Sequence, residues 1–366
     1  MLSYAEYEPR LWASAARHHL PIAGTLELTY RCNFACGHCF LRNARAQSEL
    51  DTAAWLRVVD EIADAGGLWL TLSGGEAMAH AGFAAIYEHA LRRGLLLTVF
   101  SNGSTLTPTM IDLFRHLPPR TIEVTLYGAS AASYEKTTGD ARHFAQAMGG
   151  VTDALAAGLD VHLKAMVLQE MVADLPALRE LAARLGRPFR YDTLVHAALG
   201  AGPQPRVHRL TPAEVVAIEQ RDDATRAALV ARQGRPESAP SDEVYRCGAG
   251  RTAFTIAPDG FLQPCALVRS LRLDLAQMPF ADAWAALRRG VMRRYSTPER
   301  PCRGCTLRFL CGTCPGIAEV ETGDPEGVAA EVCATAHARA SALLGQPPAP
   351  SSSRCTEADE RLRLVS

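Results

Sequence analysis

Three thiols fall within eight residues, Cys32-Asn-Phe-Ala-Cys36-Gly-His-Cys39, with Phe40 next in the chain. That spacing wraps a short loop around one centre. Three protein thiolates on a 4Fe-4S cluster leave one iron open to a small molecule, whereas structural zinc sites use paired Cys-x2-Cys units and a fourth donor. The one donor at hand is His38, whose neighbour Cys39 leaves its side chain better placed to pack over a cluster. A second group of seven cysteines lies between 247 and 333: Cys247, Cys265, Cys302, Cys305, Cys311, Cys314 and Cys333. The run Cys302-x2-Cys305-x5-Cys311-x2-Cys314 also suits a zinc ribbon, which stays open as an alternative. Cys355 stands alone beside three serines and reads as a bystander.

Eleven cysteines is an odd count, and no charged start followed by an apolar stretch marks the chain for export. A disulfide framework is therefore a poor reading; a reduced, cytoplasmic setting with metal or redox chemistry is the better one. The net charge of -1 offers no footprint for nucleic acid or an anionic membrane. No apolar run approaches the roughly 20 residues that span a bilayer. Neither partner is expected.

Ser73-Gly74-Gly75-Glu76 ends another apolar run. Together with the Cys-x3-Cys-x2-Cys loop, this turn resembles the radical S-adenosylmethionine (SAM) superfamily over residues 25–195. The resemblance implies a 4Fe-4S cluster on Cys32, Cys36 and Cys39, with SAM on the open iron. In that family the Gly74-Gly75 backbone and Glu76 hold the SAM amino group. Ser101, Asn102 and Thr125 match positions near the ribose, Lys164 one near the SAM carboxylate, and Phe40 an adenine contact. Each of these polar residues reads equally well as a strand-end hydrogen bond or a snorkelling lysine.

The later cysteines, with Gly260 between Cys247 and Cys265, resemble the SPASM domain, which binds two auxiliary 4Fe-4S clusters. This chain has two residues between Cys311 and Cys314 where the pattern has three. The family pairing implies one cluster on Cys302, Cys305, Cys311 and Cys333. The other, on Cys247, Cys265 and Cys314, is one thiol short and is expected to keep an open or non-thiolate iron.

The elements that must position these groups follow from hydropathy. With 366 residues, 48% of them hydrophobic, the chain can bury a large core. Apolar runs of strand length recur at 25–30, 68–72, 95–100, 122–126, 161–168 and 189–194, separated by segments of helical period. Six such units predict an α/β fold, a partial (β/α)6 TIM-like barrel with chemistry beyond the C-terminal strand ends; the resemblance of the later cysteines implies that a small cysteine-rich α+β SPASM domain follows it. Expected bounds are an N-terminal segment 1–24, the barrel 25–233, the cysteine-rich domain 234–345 and a tail 346–366. A linker is expected at 234–241, a helix over 212–232, a hairpin turning at Pro258-Asp259-Gly260, and helices near 281–293 and 326–344. Tyr127, Arg190 and Asp192 either face a substrate chamber or satisfy one another.

These resemblances imply an enzyme that reductively cleaves SAM to a 5'-deoxyadenosyl radical and modifies a ribosomally made precursor peptide by crosslinking, thioether formation, epimerisation or excision. A flavodoxin or ferredoxin-type reductant is implied, and only residues 1–24 precede the first strand, so a separate peptide-recognition protein is expected. A sulfatase-maturating enzyme is an alternative, against which stands Ala266, where that family has an acidic residue. A quinone-cofactor maturase is another. A non-catalytic iron-sulfur electron carrier is the alternative of a different class, and it has no use for a Gly-Gly-Glu turn.

Overall fold

The computed structural model describes residues 4–44, 48–200, 205–232, 242–295, 297–298, 300, 302–303 and 305–344. The expected linker at 234–241 and the tail, with Cys355, lie outside the described residues.

Helix α1 (Tyr4–His18) leads into β1 (Ala23–Thr29). Five strand and helix units follow: α2 (Thr52–Asp64), β2 (Trp69–Gly74), α3 (Phe83–Arg92), β3 (Leu96–Ser101), α4 (Pro108–His116), β4 (Thr121–Leu126), α5 (Ala131–Thr138), α6 (Arg142–Ala156), β5 (Val161–Met166), α7 (Leu175–Arg184) and β6 (Phe189–Asp192). All six strands are parallel in the order β6-β5-β4-β3-β2-β1. The sheet then continues past β1. Strand β7 (Ala253–Ile256) pairs with it in parallel, and β8 (Phe261–Gln263) and β9 (Leu273–Asp274) return antiparallel. The expected hairpin is thus present and is an extension of the barrel sheet.

Alternation builds the layers. On β4 the side chains of Ile122, Val124 and Leu126 enter the helix-covered core, while Glu123 and Thr125 project from the opposite face. Leu163 and Lys164 divide in the same way on β5. Helix starts carry side-chain caps: Asp51 accepts from Ala54 N–H at 2.8 Å, Thr107 from Met110, and Ser130 from Ser133.

The described residues up to His208 and those of Cys247–Val291 form one compact unit. It ends with α10 (Phe280–Met292). The described residues within Arg209–Arg246 and Met292–Ser366 form a second, with α8 (Pro212–Gln220), α9 (Asp223–Ala231), α11 (Pro315–Thr322) and α12 (Ala330–Leu344). The single helix expected over 212–232 is two, because Asp222 leaves helical geometry and caps α9 through Thr225 N–H. No helix among the described residues is long and apolar enough to cross a membrane.

Candidate functional site

Strand β1 delivers the chain to Cys32 through a register irregularity between Glu27 and Thr29. Glu49 fixes the exit. It accepts from Tyr30 N–H at 3.0 Å and pairs with Arg31 at 3.1 Å. Beyond it the loop is held by turns, Cys39 N–H to Cys36 O and Arg42 N–H to Cys39 O, both 3.3 Å. Phe34 N–H points at Cys32 Sγ, 3.4 Å away.

Cys36 is buried with Phe34, Tyr134 and Ala147, and Cys32, Cys39, Tyr127 and Phe144 pack on that cluster. Burial, and then negative charge at Cys36, Cys32 and Cys39, pushes the Tyr127 hydroxyl far above its ordinary range. The three sulfurs therefore share one chamber, with Tyr127 at its wall; the structure turns this tyrosine to the thiols. His38 lies 5.3 Å from the Tyr127 ring, and burial, followed by the charge of His208, lowers it to about 4, so it is neutral at pH 7. A Cβ on Gly37 would stand 2.6 Å from His208 Nε2, so only glycine lets that ring lie over the loop.

The glycine turn serves the same loop. Gly74 has φ of +125°, and a Cβ there would collide with the Thr29 carbonyl; one on Gly75 would stand 2.6 Å from Tyr30 O and closer still to Arg31 O. Backbone bonds fill that gap: Gly75 N–H to Thr29 O at 2.8 Å and Glu76 N–H to Arg31 O at 2.9 Å. Glu76 is 1% exposed and accepts from Asn102 N–H at 2.8 Å and the Thr105 hydroxyl at 2.9 Å. Burial outweighs those bonds and raises its pKa.

Asn102 donates to Asn33 Oδ1 at 2.9 Å and lies 3.9 Å from Cys32 Sγ. Ser101 accepts from Gly103 N–H at 2.9 Å. The ends of β1, β2 and β3 thus form one polar lattice that abuts Cys32. Asn33, Ser104 and Thr105 belong to it and were not anticipated, although Asn33 sits inside the cysteine motif and Ser104-Thr105 continue the Ser101-Asn102-Gly103 turn.

Phe40 has other partners: its carbonyl accepts from Leu199 N–H at 2.8 Å, and its ring meets His196 edge-on at 6.2 Å. Lys164 belongs to a different group. It pairs in register with Thr125 and Arg190, its Nζ is 3.0 Å from the Phe100 ring centroid and 3.2 Å from Glu123 Oε2, and Arg190 bonds the same carboxylate. Burial lowers Lys164 to about 8 against the pull of Glu123. Asp192 accepts from Leu194 N–H at 2.9 Å. Glu123 was missed, although it shares the Thr125 face by simple alternation.

In the second unit Cys305 N–H bonds Cys302 O at 3.3 Å, and Cys311 N–H bonds Arg308 O at 3.2 Å. Burial, then Cys302 and Cys305, pushes the Cys311 thiol up to about 11. These three sulfurs are neighbours. Cys305 and Cys311 pack on Leu229, Leu307, Leu310, Ala336 and Ala340. Cys333 precedes Ala336 by three residues on α12, a spacing that puts both on one helix stripe. Cys314 caps α11. Cys247, exposed, and Cys265, half-buried, belong to the first unit.

Residues 26–182 match the Radical SAM superfamily model. The PqqA peptide cyclase of Ruegeria pomeroyi is 28% identical over 343 residues, covering 88% of this chain and 90% of its own. The AdoMet-dependent heme synthase of Methanosarcina barkeri is 25% identical over 328 residues, covering 81% and 92%. Among solved structures, Streptococcus suis SuiB bound to S-adenosylmethionine is similar with a TM-score of 0.67 at 18% identity, over 91% of this chain and 84% of that one, a likeness of fold. The family match opens in β1 and closes in α7, over the strands whose ends build the thiol chamber and its lattice; the chain is an enzyme whose residues 26–182 are similar to the radical SAM superfamily.

Proposed function

We propose that this enzyme is a radical SAM peptide maturase whose cysteine-rich extension is a SPASM domain with auxiliary 4Fe-4S clusters. The observation that carries the first step is the chamber in which Cys32, Cys36 and Cys39 all act on Tyr127 beside the lattice of Glu76 and Asn102. A four-iron cube takes three thiolates at separate corners and leaves one iron open, which suits three cysteines of one loop that pack in one chamber.

A cluster on Cys32, Cys36 and Cys39 with SAM on its open iron supplies one-electron cleavage to methionine and a 5'-deoxyadenosyl radical. The chain's own residues do the rest. Phe34, Tyr134 and Phe144 wall the chamber and close it to bulk solvent. Neutral His38 adds no charge there. Gly74, Gly75, Glu76, Ser101 and Asn102 fix the loop and offer the polar edge for SAM, and Phe40 is proposed to contact its adenine. Thr125 and Lys164 are proposed to meet the ribose and the carboxylate of SAM, and Arg190, which shares the Glu123 carboxylate with Lys164, suits a peptide carboxylate.

The substrate reading rests on the PqqA peptide cyclase among the relatives and on the seven later cysteines. Cys302, Cys305, Cys311 and Cys333 are proposed to hold one auxiliary cluster, and Cys247, Cys265 and Cys314 another with an open iron. A flavodoxin or ferredoxin-type donor would reduce them in the cytoplasm, and a separate recognition protein would deliver the peptide. Ala266 counts against sulfatase maturation. The heme synthase matches nearly as much of the chain and favours, as a second reading, a non-peptide substrate.

Anaerobic reconstitution followed by dithionite and SAM is expected to yield 5'-deoxyadenosine, and Cys36→Ala to abolish it. Zinc in place of iron, or equal turnover in the variant, would overturn the reading. Addition of short peptides encoded beside the gene separates the two substrate classes by a mass change in the peptide.

A further inference from the structure

Gly37 and His38 lie between the second and third thiols of the first loop. The turn they form is closed by a backbone bond of 3.3 Å from Cys39 N–H to Cys36 O, longer than most N–H···O bonds. His38 does not reinforce it, since its buried Nδ1 has no hydrogen-bond partner among the described residues. Support comes from far along the chain. The His208 ring lies over Gly37, where a Cβ would stand 2.6 Å from Nε2, 3.2 Å from Cε1 and 3.7 Å from Cδ2. The same ring meets His38 edge-on, with centroids 6.4 Å apart.

The His208 ring is itself held. Glu170, in the turn Gln169–Asp174 that follows β5, accepts from His208 Nδ1–H at 2.5 Å, and the two side chains are 31% and 21% exposed. Asp174 ties that turn down by accepting from Ala129 N–H, 3.1 Å away and just past β4. A carboxylate on Nδ1 sets the tautomer and the plane of an imidazole. Here the opposite edge, Nε2, bears on the loop backbone. Gly37 is not among the glycines with positive φ, and the three atoms nearest to a Cβ built on it all belong to His208. Alanine fits the backbone at this position, so the ring is what demands glycine there.

We propose that His208, held by Glu170, is a positioning residue that braces the Cys36–Cys39 turn in the shape that grips the first iron-sulfur cluster and seats SAM on it. The inference rests on the reading of Cys32, Cys36 and Cys39 as cluster ligands. The brace acts through Gly37 on the thiols to either side.

The test uses the anaerobically reconstituted full-length protein. The first cluster is identified by the paramagnetic signal that changes when SAM is added, and the decay of that signal under an iron chelator is timed beside KM and kcat for SAM cleavage. In His208→Ala the signal is expected to decay about tenfold faster and KM for SAM to rise about tenfold, with kcat changed less than about threefold. Glu170→Ala should act in the same direction, while Glu170→Gln, which keeps an acceptor for Nδ1–H, should restore the wild-type decay. The Glu170 pair carries the test should His208→Ala fail to fold. Gly37→Ala should also speed the decay, and Gly37→Ala combined with His208→Ala should lose the signal no faster than His208→Ala alone. Val207→Ala, on the same turn but 73% exposed, should match the wild type. Wild-type decay in His208→Ala, multiplied losses in the double variant, a fall in kcat with KM unmoved, or equal loss in Val207→Ala overturns the inference. Wild-type protein that takes up no iron would instead remove the cluster reading itself.

Discussion

Glu27 is buried on β1 between Thr25 and Thr29, five residues before the first thiol. It accepts from the Tyr30 hydroxyl at 2.8 Å, and Arg269 donates to that same hydroxyl at 2.7 Å and to Gln263 at 3.2 Å. Burial raises Glu27 to about 7, against the pull of Tyr30, Arg269 and Arg272 and with a smaller push from Asp259. A carboxyl raised in the fold binds its proton more tightly there than in the unfolded chain. Its contribution is complete below pH 4.5 and is lost as pH rises toward 7, an effect of about 3 kcal/mol. The urea midpoint of the wild type should therefore fall between pH 5 and 7.5 by more than that of Glu27→Gln; equal falls would show that this carboxyl is not held neutral. The two kinds of glycine also separate at this scale. Gly75→Ala meets the backbone of Tyr30 and Arg31 just past β1 and is expected to cost about 3 kcal/mol or more and to end SAM cleavage. Gly139→Ala, at φ +84° with nothing within 4 Å of the new Cβ, should cost about 1 kcal/mol and leave cleavage intact, as urea melts and 5'-deoxyadenosine yields would show. The sequence made Gly74 and Gly75 visible as a pair, but their closest partner is the chain itself at Thr29 to Arg31, which no local spacing reveals.

Across the elements, β4, β5 and β6 each give one charged side chain to a shared group, Glu123, Lys164 and Arg190. The side chains of Lys164 and Glu123 are 15% and 18% exposed, so neither is screened as a surface pair would be. Removing one partner leaves the other charge stranded. Glu123→Ala should cost about 3 kcal/mol and push Lys164 further below about 8, whereas the double change with Lys164→Met should recover most of the loss in a denaturation cycle. Additive losses would show that the pair is not coupled. The first five parallel strands were legible because each has apolar residues buried on the helix side, and β6 because Phe189 and Tyr191 alternate with Arg190 and Asp192 and pack half-buried on the same core. Helix α1 was not, since Pro9 and its scattered charges blur the period. The hairpin at 258–260 was legible from its turn residues, yet its pairing with β1 was not: a parallel partner more than two hundred residues away leaves no local mark.

At the scale of the whole molecule, the two compact units have unequal means of holding themselves together. The first buries one continuous core from Leu26 on β1 to Leu287 on α10. In the second, the core beneath Cys305 and Cys311 is Leu229, Leu307, Leu310, Ala336 and Ala340. Its helices are also tied by ion pairs, Arg209 to Glu321 and Glu331, and Arg339 to Glu219 at 2.6 Å. Such pairs fix which helix faces meet but add little net stability, because each charge gives up hydration to form them. A small core with thiols at its edge is the setting in which bound metal becomes folding energy. On the proposed auxiliary-cluster reading, removing iron anaerobically should therefore expose cleavage sites within 292–344 at a protease level that leaves the strands of the first unit intact, and reconstitution with iron and sulfide should close them again. If the apo protein is cut in both units at the same rate, or if 292–344 is as resistant without iron as with it, the second unit stands on side-chain packing alone, and its cysteines are not what hold it in shape.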